Sequence, residues 1–329
     1  MRILVEEVRL YPLRYFRAVL RHMGPEFWIV ATFPYYISWI WASGEVFPGL
    51  QWLNDNPTVA STYLETFALY LGQTWEFWLG AIVIGPLLGG GTVLYDDFFD
   101  HDIDKNNPRK SSLPFQKVRT RPKIILGSSG FLFVLSLALA LLISPGFFVI
   151  SAFIVVLSLL YSSPPFRFKG RGGLDLLTNM VGFGVLCSLA GFIIAAPLSE
   201  YPWLWLVPMI FGTGCLYILT TIADMRYDGD SNIQTIAVKL GLERAAEASM
   251  VLLFIANVAI LSLGLSDYLY SPEVIYRVWP ISILEFLPII YLRVTRNVDV
   301  ILWVIFFTGS LMAIGTFLLA LNHVGIWVP

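Results

Sequence analysis

Hydrophobic residues occur along this chain in long runs that short polar segments separate. Nine of these runs have the length of about 17–25 residues that a helix needs to cross a bilayer. Hydrophobic residues make up 57% of the chain and charged residues 13%, a balance that excludes a soluble globular domain. The predicted fold is therefore all-α, a polytopic membrane protein of about nine helices. The predicted spans are residues 26–43, 77–95, 124–143, 145–161, 174–198, 203–222, 245–265, 277–294 and 299–321.

The distribution of charge divides the chain into three parts. Residues 1–25 alternate arginines with apolar side chains, which predicts an amphipathic helix on an anionic membrane surface. Residues 26–321 are interpreted as a single transmembrane domain, in which spans one to four and five to eight are two copies of a four-helix unit and the ninth span is an addition. Residues 322–329 form a tail. Within the outer segment 44–76, residues 58–73 are predicted to form a short helix on the membrane surface.

Arginine and lysine residues predict how the chain crosses the membrane. If the N-terminus is cytoplasmic, 20 of the 21 lysines and arginines fall in cytoplasmic segments, and only Arg277 falls on the opposite face. Cytoplasmic loops of membrane proteins are enriched in these residues. We therefore expect a multi-pass protein with a cytoplasmic N-terminus and a C-terminus on the other side.

Clusters of aspartate end the second and sixth predicted spans, on the predicted cytoplasmic side. In the first cluster either Asp96 or Asp97 shares a helical face with Asp100 and Asp104, and in the second Asp224 shares one with Asp228. The C-terminal end of a helix is unfavourable for carboxylates, so a bound divalent cation is needed to offset their charge. Oxygen ligands without a nearby histidine or cysteine favour Mg²⁺ or Ca²⁺ over zinc. The metal ligands predicted on this basis are Asp96, Asp97, Asp100, Asp104, Asp224 and Asp228.

Basic residues follow the first cluster and also lie between spans four and five. Mg²⁺ is commonly completed by substrate phosphate, so basic side chains beside the carboxylates favour a diphosphate-bearing substrate and no nucleic acid. An EF-hand is excluded, because Lys105 and Ser111 stand where its loop requires glycine and glutamate. Two simpler interpretations are a solvated acidic helix end and basic residues that serve only as topology signals.

These segments resemble motifs of the UbiA superfamily of intramembrane prenyltransferases, over about residues 26–321. The family motif NDxxDxxxD corresponds to Asp96–Asp104, with aspartate in place of the leading asparagine. The stretch YSxPPxRxK appears as Tyr161–Lys169 and continues to Asn179. The second motif is commonly DxExD followed by glycine, threonine and alanine. It appears here as Asp224, Asp228, Thr235 and Ala237, with Arg226 replacing the usual acid and Asn232 the usual glycine.

The resemblance implies a helical bundle around a central apolar cavity and an Mg²⁺-dependent transfer reaction. A polyprenyl diphosphate would place its head at the cytoplasmic rim and its tail in the cavity, and a lipophilic acceptor would attack the carbocation formed there. Candidate aromatic residues for stabilising that cation are Phe98, Phe99, Tyr161 and Tyr227. The resemblance further implies that the diphosphate is bound by Lys105, Arg109, Arg167 and Lys169, and that Tyr161 and Asn179 orient the substrate.

Three functions remain open from the sequence. The first is prenyl transfer to an aromatic quinone precursor or to a carotenoid such as lycopene. The second is a terpene cyclase on the same scaffold, which needs no acceptor. The third is a non-catalytic carrier of lipid diphosphates, which would release no diphosphate.

Overall fold

The computed structural model describes residue 17 and residues 19–55, 63–104, 122–230 and 233–327. These residues are almost entirely helical, and one isolated parallel bridge joins Arg171 to Gln234. The α-helices are α1 (Pro25–Ser43), α2 (Leu50–Asp55), α3 (Tyr63–Ile82), α4 (Gly90–Asp104), α5 (Pro122–Ile143), α6 (Pro145–Ser162), α7 (Leu174–Asn179), α8 (Cys187–Phe192), α9 (Leu206–Asp230), α10 (Ile236–Leu240), α11 (Leu242–Leu265), α12 (Pro272–Leu284), α13 (Phe286–Thr295) and α14 (Ile301–His323). The π-helical turns Val83–Gly89 and Met180–Leu186 join α3 to α4 and α7 to α8, and short 3₁₀ turns lie at Phe168–Gly170, Leu198–Glu200, Trp203–Trp205 and Val298–Val300.

The all-α membrane fold predicted from the sequence is confirmed. Eight helical stretches within the described ranges are long and apolar enough to cross a membrane. The first predicted span, α1, is a helix of 19 residues that is not among these eight, because its tryptophan, tyrosine and proline residues lower its mean hydropathy. Its Tyr35, Ile37 and Ile40 are nevertheless fully buried among the other helices.

The second span is longer than predicted. Residues 65–100 form one helical stretch of 36 residues, so the predicted surface helix over 58–73 is wrong for its described part. No proline interrupts the chain between Tyr63 and Ile82. Pro86 lies inside the π-helical turn, where the looser hydrogen-bond pattern accommodates its missing N–H. The first acidic cluster therefore stands at the end of a continuous helix.

The helices pack so that the last one meets the first, since α14 contacts α1. Very close packing joins α1 to α8: a Cβ atom added to Gly191 would lie 1.8 Å from the main-chain oxygen of Tyr35. Only glycine permits this approach between two helix backbones. The helices that carry the two acidic clusters, α4 and α9, also contact each other.

Candidate active site

Small residues at the start of α4 fix the position of the first acidic cluster. A Cβ atom added to Gly90 would lie 2.6 Å from Met23, and one added to Gly91 would lie 2.9 Å from Phe133. The hydroxyl of Ser129 on α5 donates a hydrogen bond to the main-chain oxygen of Gly91 at 2.7 Å. Gly90 and Gly91 therefore serve close packing against neighbouring side chains.

Lys169 lies between two carboxylates of the first cluster. Its Nζ contacts Asp96 Oδ1 and Asp100 Oδ2, both at 2.5 Å. The hydroxyl of Ser162, at the end of α6, donates to the same Asp96 oxygen at 2.7 Å. Burial alone would lower the pKa of Lys169, but the two aspartates outweigh it and raise that pKa above its ordinary value. The lysine therefore stays charged at neutral pH.

Arg167 reaches Asp100 from the loop that follows α6. One terminal nitrogen of its guanidinium lies 3.1 Å from Asp100 Oδ1. The backbone of Arg167 is left-handed, with φ of 38°, a conformation that costs a non-glycine residue about 1–2 kcal/mol. The surrounding loop therefore holds Arg167 and Lys169 in place. These two of the four predicted diphosphate ligands contact the first cluster.

His22 contacts the remaining described carboxylate of this cluster. Its Nε2 atom lies 2.9 Å from Asp97 Oδ2, and the side chains are 0% and 6% exposed. The sequence analysis missed this residue, because an isolated histidine at the end of a basic segment gives no motif. The only sequence signal is its place, just before Gly24 and the start of α1.

A second network surrounds the residues predicted to orient the substrate. The hydroxyl of Tyr161 lies 3.0 Å from that of Tyr217, and Tyr217 in turn donates to Asp175 Oδ2 at 3.4 Å. The side-chain amide of Asn179 donates to the main-chain oxygen of Asp175 at 2.9 Å. Tyr161 and Asn179 thus belong to one network centred on Asp175.

Asp175 connects the loop between α6 and α7 to the segment that follows the second cluster. It is fully buried, and it accepts hydrogen bonds from the main-chain N–H of Gly173 at 2.6 Å and of Ile236 at 2.7 Å. A Cβ atom added to Gly172 would lie 2.8 Å from the main-chain oxygen of Gln234, so the two segments are in direct contact. Asp175 was not predicted from the sequence, because a single acid in an apolar run has no partner at a recognisable spacing.

The second acidic cluster lies on the last two turns of α9. Asp224 and Asp228 are half-buried and Arg226 is exposed. The main-chain oxygen of Asp228 accepts a hydrogen bond from the N–H of Ile233 at 2.9 Å, which turns the chain towards Asp175. The helices that carry the two clusters, α4 and α9, contact each other.

Some predicted residues lie outside what the structure describes. Lys105, Arg109 and Asn232 are among them, and Asp104 is described only as part of the α4 helix. Their predicted roles stay predictions.

The carboxylate oxygens at the end of α4 are of the kind that binds Mg²⁺. Among the described residues, no three histidine, cysteine, aspartate or glutamate side chains are gathered closely enough to hold a metal ion. Mg²⁺ does not need such a cage, since one or two carboxylates, waters and substrate phosphates complete its octahedron. Asp96 and Asp100, on one face of α4, supply carboxylates of the required kind.

A buried acid also lies inside the membrane-spanning region. Glu285 separates α12 from α13 and is 4% exposed. Its Oε2 atom accepts a hydrogen bond from the side-chain amide of Asn257 on α11 at 2.9 Å. The sequence analysis did not identify this residue, although an acid at the centre of a predicted span is itself a signal.

Comparison with known proteins gives the chain its family. The UbiA prenyltransferase family model matches residues 57–283, more than half of the chain. A lycopene elongase/hydratase from Corynebacterium glutamicum is 24% identical over 279 residues, which cover 80% of this chain and 92% of the relative. A digeranylgeranylglyceryl phosphate synthase from Saccharolobus solfataricus is 27% identical over 226 residues, or 67% of this chain and 74% of the relative.

A solved structure has the same fold. The UbiA homolog from Archaeoglobus fulgidus bound to GPP and Mg²⁺ aligns with a TM-score of 0.65 at 20% identity, covering 91% of this chain and 98% of the homolog. The family match and the fold agree with the motifs in the sequence. The chain is a multi-pass membrane enzyme, and it belongs to the UbiA prenyltransferase family.

Proposed function

We propose that this prenyltransferase moves a prenyl group from a prenyl diphosphate to the end of an acyclic carotenoid, with Mg²⁺ as cofactor. The observation that carries the diphosphate site is the convergence of Arg167 and Lys169 on Asp96 and Asp100, at the end of a membrane helix. Carboxylates and fixed cations at one point suit an Mg²⁺–diphosphate head group. The apolar interior of the bundle suits a prenyl tail.

A hydrogen-bond donor of Arg167 that has no partner among the described residues supports anion binding beside the first acidic cluster. Within the described part of the chain, the buried Nε–H of Arg167 has no hydrogen-bond partner. Its terminal nitrogen is already directed at Asp100, so the guanidinium plane is fixed while one of its donors stays available. A diphosphate oxygen would satisfy that donor.

The chemistry follows from this arrangement. The allylic C–O bond of the donor breaks and its electron pair leaves with the diphosphate, whose charge Arg167 and Lys169 stabilise. Mg²⁺, when bound, supplies Lewis-acid stabilisation of the same leaving group. The terminal double bond of the acceptor then supplies the electrons for the new C–C bond. The resulting cation loses a proton or takes up water.

The choice of acceptor rests on the relatives. The lycopene elongase/hydratase from C. glutamicum matches over nearly its whole length. The digeranylgeranylglyceryl phosphate synthase also matches, so a prenylated glyceryl phosphate is the competing acceptor. An aromatic quinone precursor is the third.

The test is diphosphate release by the purified protein with Mg²⁺ and either dimethylallyl or geranylgeranyl diphosphate. Lycopene, a geranylgeranylglyceryl phosphate and 4-hydroxybenzoate are added separately, and products are identified by mass spectrometry. Lycopene-dependent release with a prenylated carotenoid supports the proposal, and release dependent on another acceptor overturns the carotenoid assignment. Acceptor-independent release favours a cyclase or hydrolysis of the donor, which the product distinguishes, and no release with any pair contradicts the proposed donors and acceptors. Chelation by EDTA and the Asp100→Asn variant are the matched controls.

We also propose that the rim faces the cytoplasm, as the distribution of basic residues predicts. The two natural cysteines, Cys187 and Cys215, are buried and free, so an introduced cysteine can be labelled selectively. In intact cells, Lys239→Cys should resist a membrane-impermeant maleimide and react only after the membrane is opened. Labelling in intact cells would reverse the orientation.

A further inference from the structure

The segment that precedes α1 holds a buried histidine against the acidic helix. His22 Nε2 and Asp97 Oδ2 are 2.9 Å apart, and both side chains are almost completely buried. Asp97 precedes Asp100 by three residues, so the two carboxylates are neighbours on α4, and Asp100 is one of the two that Lys169 contacts. A contact that fixes Asp97 therefore lies directly beside the proposed diphosphate site.

The position of His22 is fixed by its neighbours and not by Asp97 alone. Met23 is 4% exposed and packs with Leu94 on α4 and Ile125 on α5. The main-chain oxygen of Met23 accepts a hydrogen bond from Trp28 Nε1 at 3.1 Å. Gly24 then reverses the chain into α1 with φ of 58°, a left-handed conformation that glycine adopts without strain.

We propose that His22 is a positioning residue that orients Asp97 for the divalent metal of the transfer reaction. A carboxylate that helps to bind a metal needs a fixed rotamer, and partners of such carboxylates commonly change metal affinity 10–100-fold when they are removed. The imidazole lies against Asp97 Oδ2 at 2.9 Å with both side chains buried, so it limits the rotamers open to that carboxylate. The N-terminal segment thereby becomes part of the active site.

This inference rests on the proposed function, and the experiment separates the two. Full-length wild type, His22→Ala, His22→Gln and Asp100→Asn are purified. The Mg²⁺ concentration for half-maximal diphosphate release is measured at saturating prenyl diphosphate. Binding of Mn²⁺ is measured independently by electron paramagnetic resonance in the presence of geranyl thiolodiphosphate, an analogue that does not ionise readily.

We expect His22→Ala to raise the half-maximal Mg²⁺ concentration and the Mn²⁺ dissociation constant by about 10-fold, with the KM for prenyl diphosphate changed less than about 2-fold. His22→Gln should recover part of the loss, because its polar side chain can fill part of the space of the imidazole beside Asp97. Arg21→Ala is the matched control: Arg21 is adjacent and exposed, and both metal measurements should stay unchanged.

Two results overturn the inference. The first is wild-type metal dependence in His22→Ala while Asp100→Asn loses metal binding, which leaves the proposed function standing. The second is a loss of kcat and thermal stability in His22→Ala with an unchanged metal constant, since that result indicates a purely structural residue. Normal metal binding and turnover in Asp100→Asn would instead contradict the proposed site itself.

Discussion

The first acidic cluster is enclosed by the fold, whereas the second lies at a more open helix end. Asp97 and Asp100 are 5% and 6% exposed and contact basic side chains from two distant parts of the chain. Asp224 and Asp228 are only half-buried, and the exposed Arg226 lies between them. The side chains of the first cluster are therefore held by ionic contacts from distant parts of the folded chain. The segment that follows the other cluster is positioned through Asp175.

The largest expected effect comes from removing one carboxylate from each cluster. Asp100→Ala and Asp228→Ala should each reduce turnover by at least about 10²–10³-fold, because each removes charge that holds the leaving group through the metal. Only Asp100→Ala should also lower the thermal stability, because it removes the carboxylate that Lys169 and Arg167 both contact. Diphosphate release and melting of the inserted, detergent-purified protein measure the two effects. Full activity in both variants would contradict the two-cluster site.

Lys169→Gln tests the enclosed cluster directly. Removing this buried cation takes away the charged contact that Asp96 and Asp100 share, which should cost about 3 kcal/mol of stability and most of the activity. The folded-state pKa of Lys169 is raised, so its stabilisation is fully present below the ordinary lysine pKa of about 10.4 and is lost as pH rises through the higher folded value. The stability difference from wild type should therefore be constant between about pH 7 and 9. A difference that disappears below pH 9 would contradict the ion-pair arrangement.

Asp175→Asn tests the connection between the clusters. The replacement keeps one oxygen for Gly173 or Ile236 but faces the other N–H with an amide nitrogen, at a cost of about 1–3 kcal/mol. We expect about a 10-fold loss of turnover, on the scale of 1.4 kcal/mol per factor of ten. Asp175→Glu should not recover it, because the site is fully buried. Unchanged kinetics in Asp175→Asn would show that activity does not depend on the hydrogen bonds by which Asp175 holds the segment after the second cluster.

The smallest effect is expected at Lys239. Its Nζ donates to the main-chain oxygen of Gly172 at 3.1 Å in an exposed position, so the contact is worth little. Lys239→Ala should change turnover by less than about 2-fold. A large loss of turnover would mean that Lys239 belongs to the basic residues that bind the diphosphate, which would bring that site closer to the second cluster than proposed.

The sequence predicted the parts of the site whose residues repeat in a pattern. Asp96 and Asp100 were recognised by their helical spacing, and Arg167 and Lys169 by the motif that contains them. The structure brings these four together. Helical periodicity and charged loops are local properties, so a sequence displays them directly.

The missed residues act through contacts that no local pattern displays. His22 lies 75 residues before Asp97, and the basic segment around it was interpreted only as a membrane-surface helix. Asp175 bonds Ile236 across 61 residues. The surface helix predicted over 58–73 was wrong where described, because the polar residues of that segment are on a helix that continues into the span.

The carboxyl of Glu285 has a consequence for the biogenesis of the protein. An acid at the centre of a helix makes its insertion into the bilayer less favourable by about 2.5–3.5 kcal/mol on a biological scale. Its partner Asn257 lies 28 residues earlier and is therefore synthesised first. When Glu285 is synthesised, the Asn257 amide that donates a hydrogen bond to it is already part of the chain. The order of translation thus makes the amide partner of Glu285 before the acid itself enters the membrane.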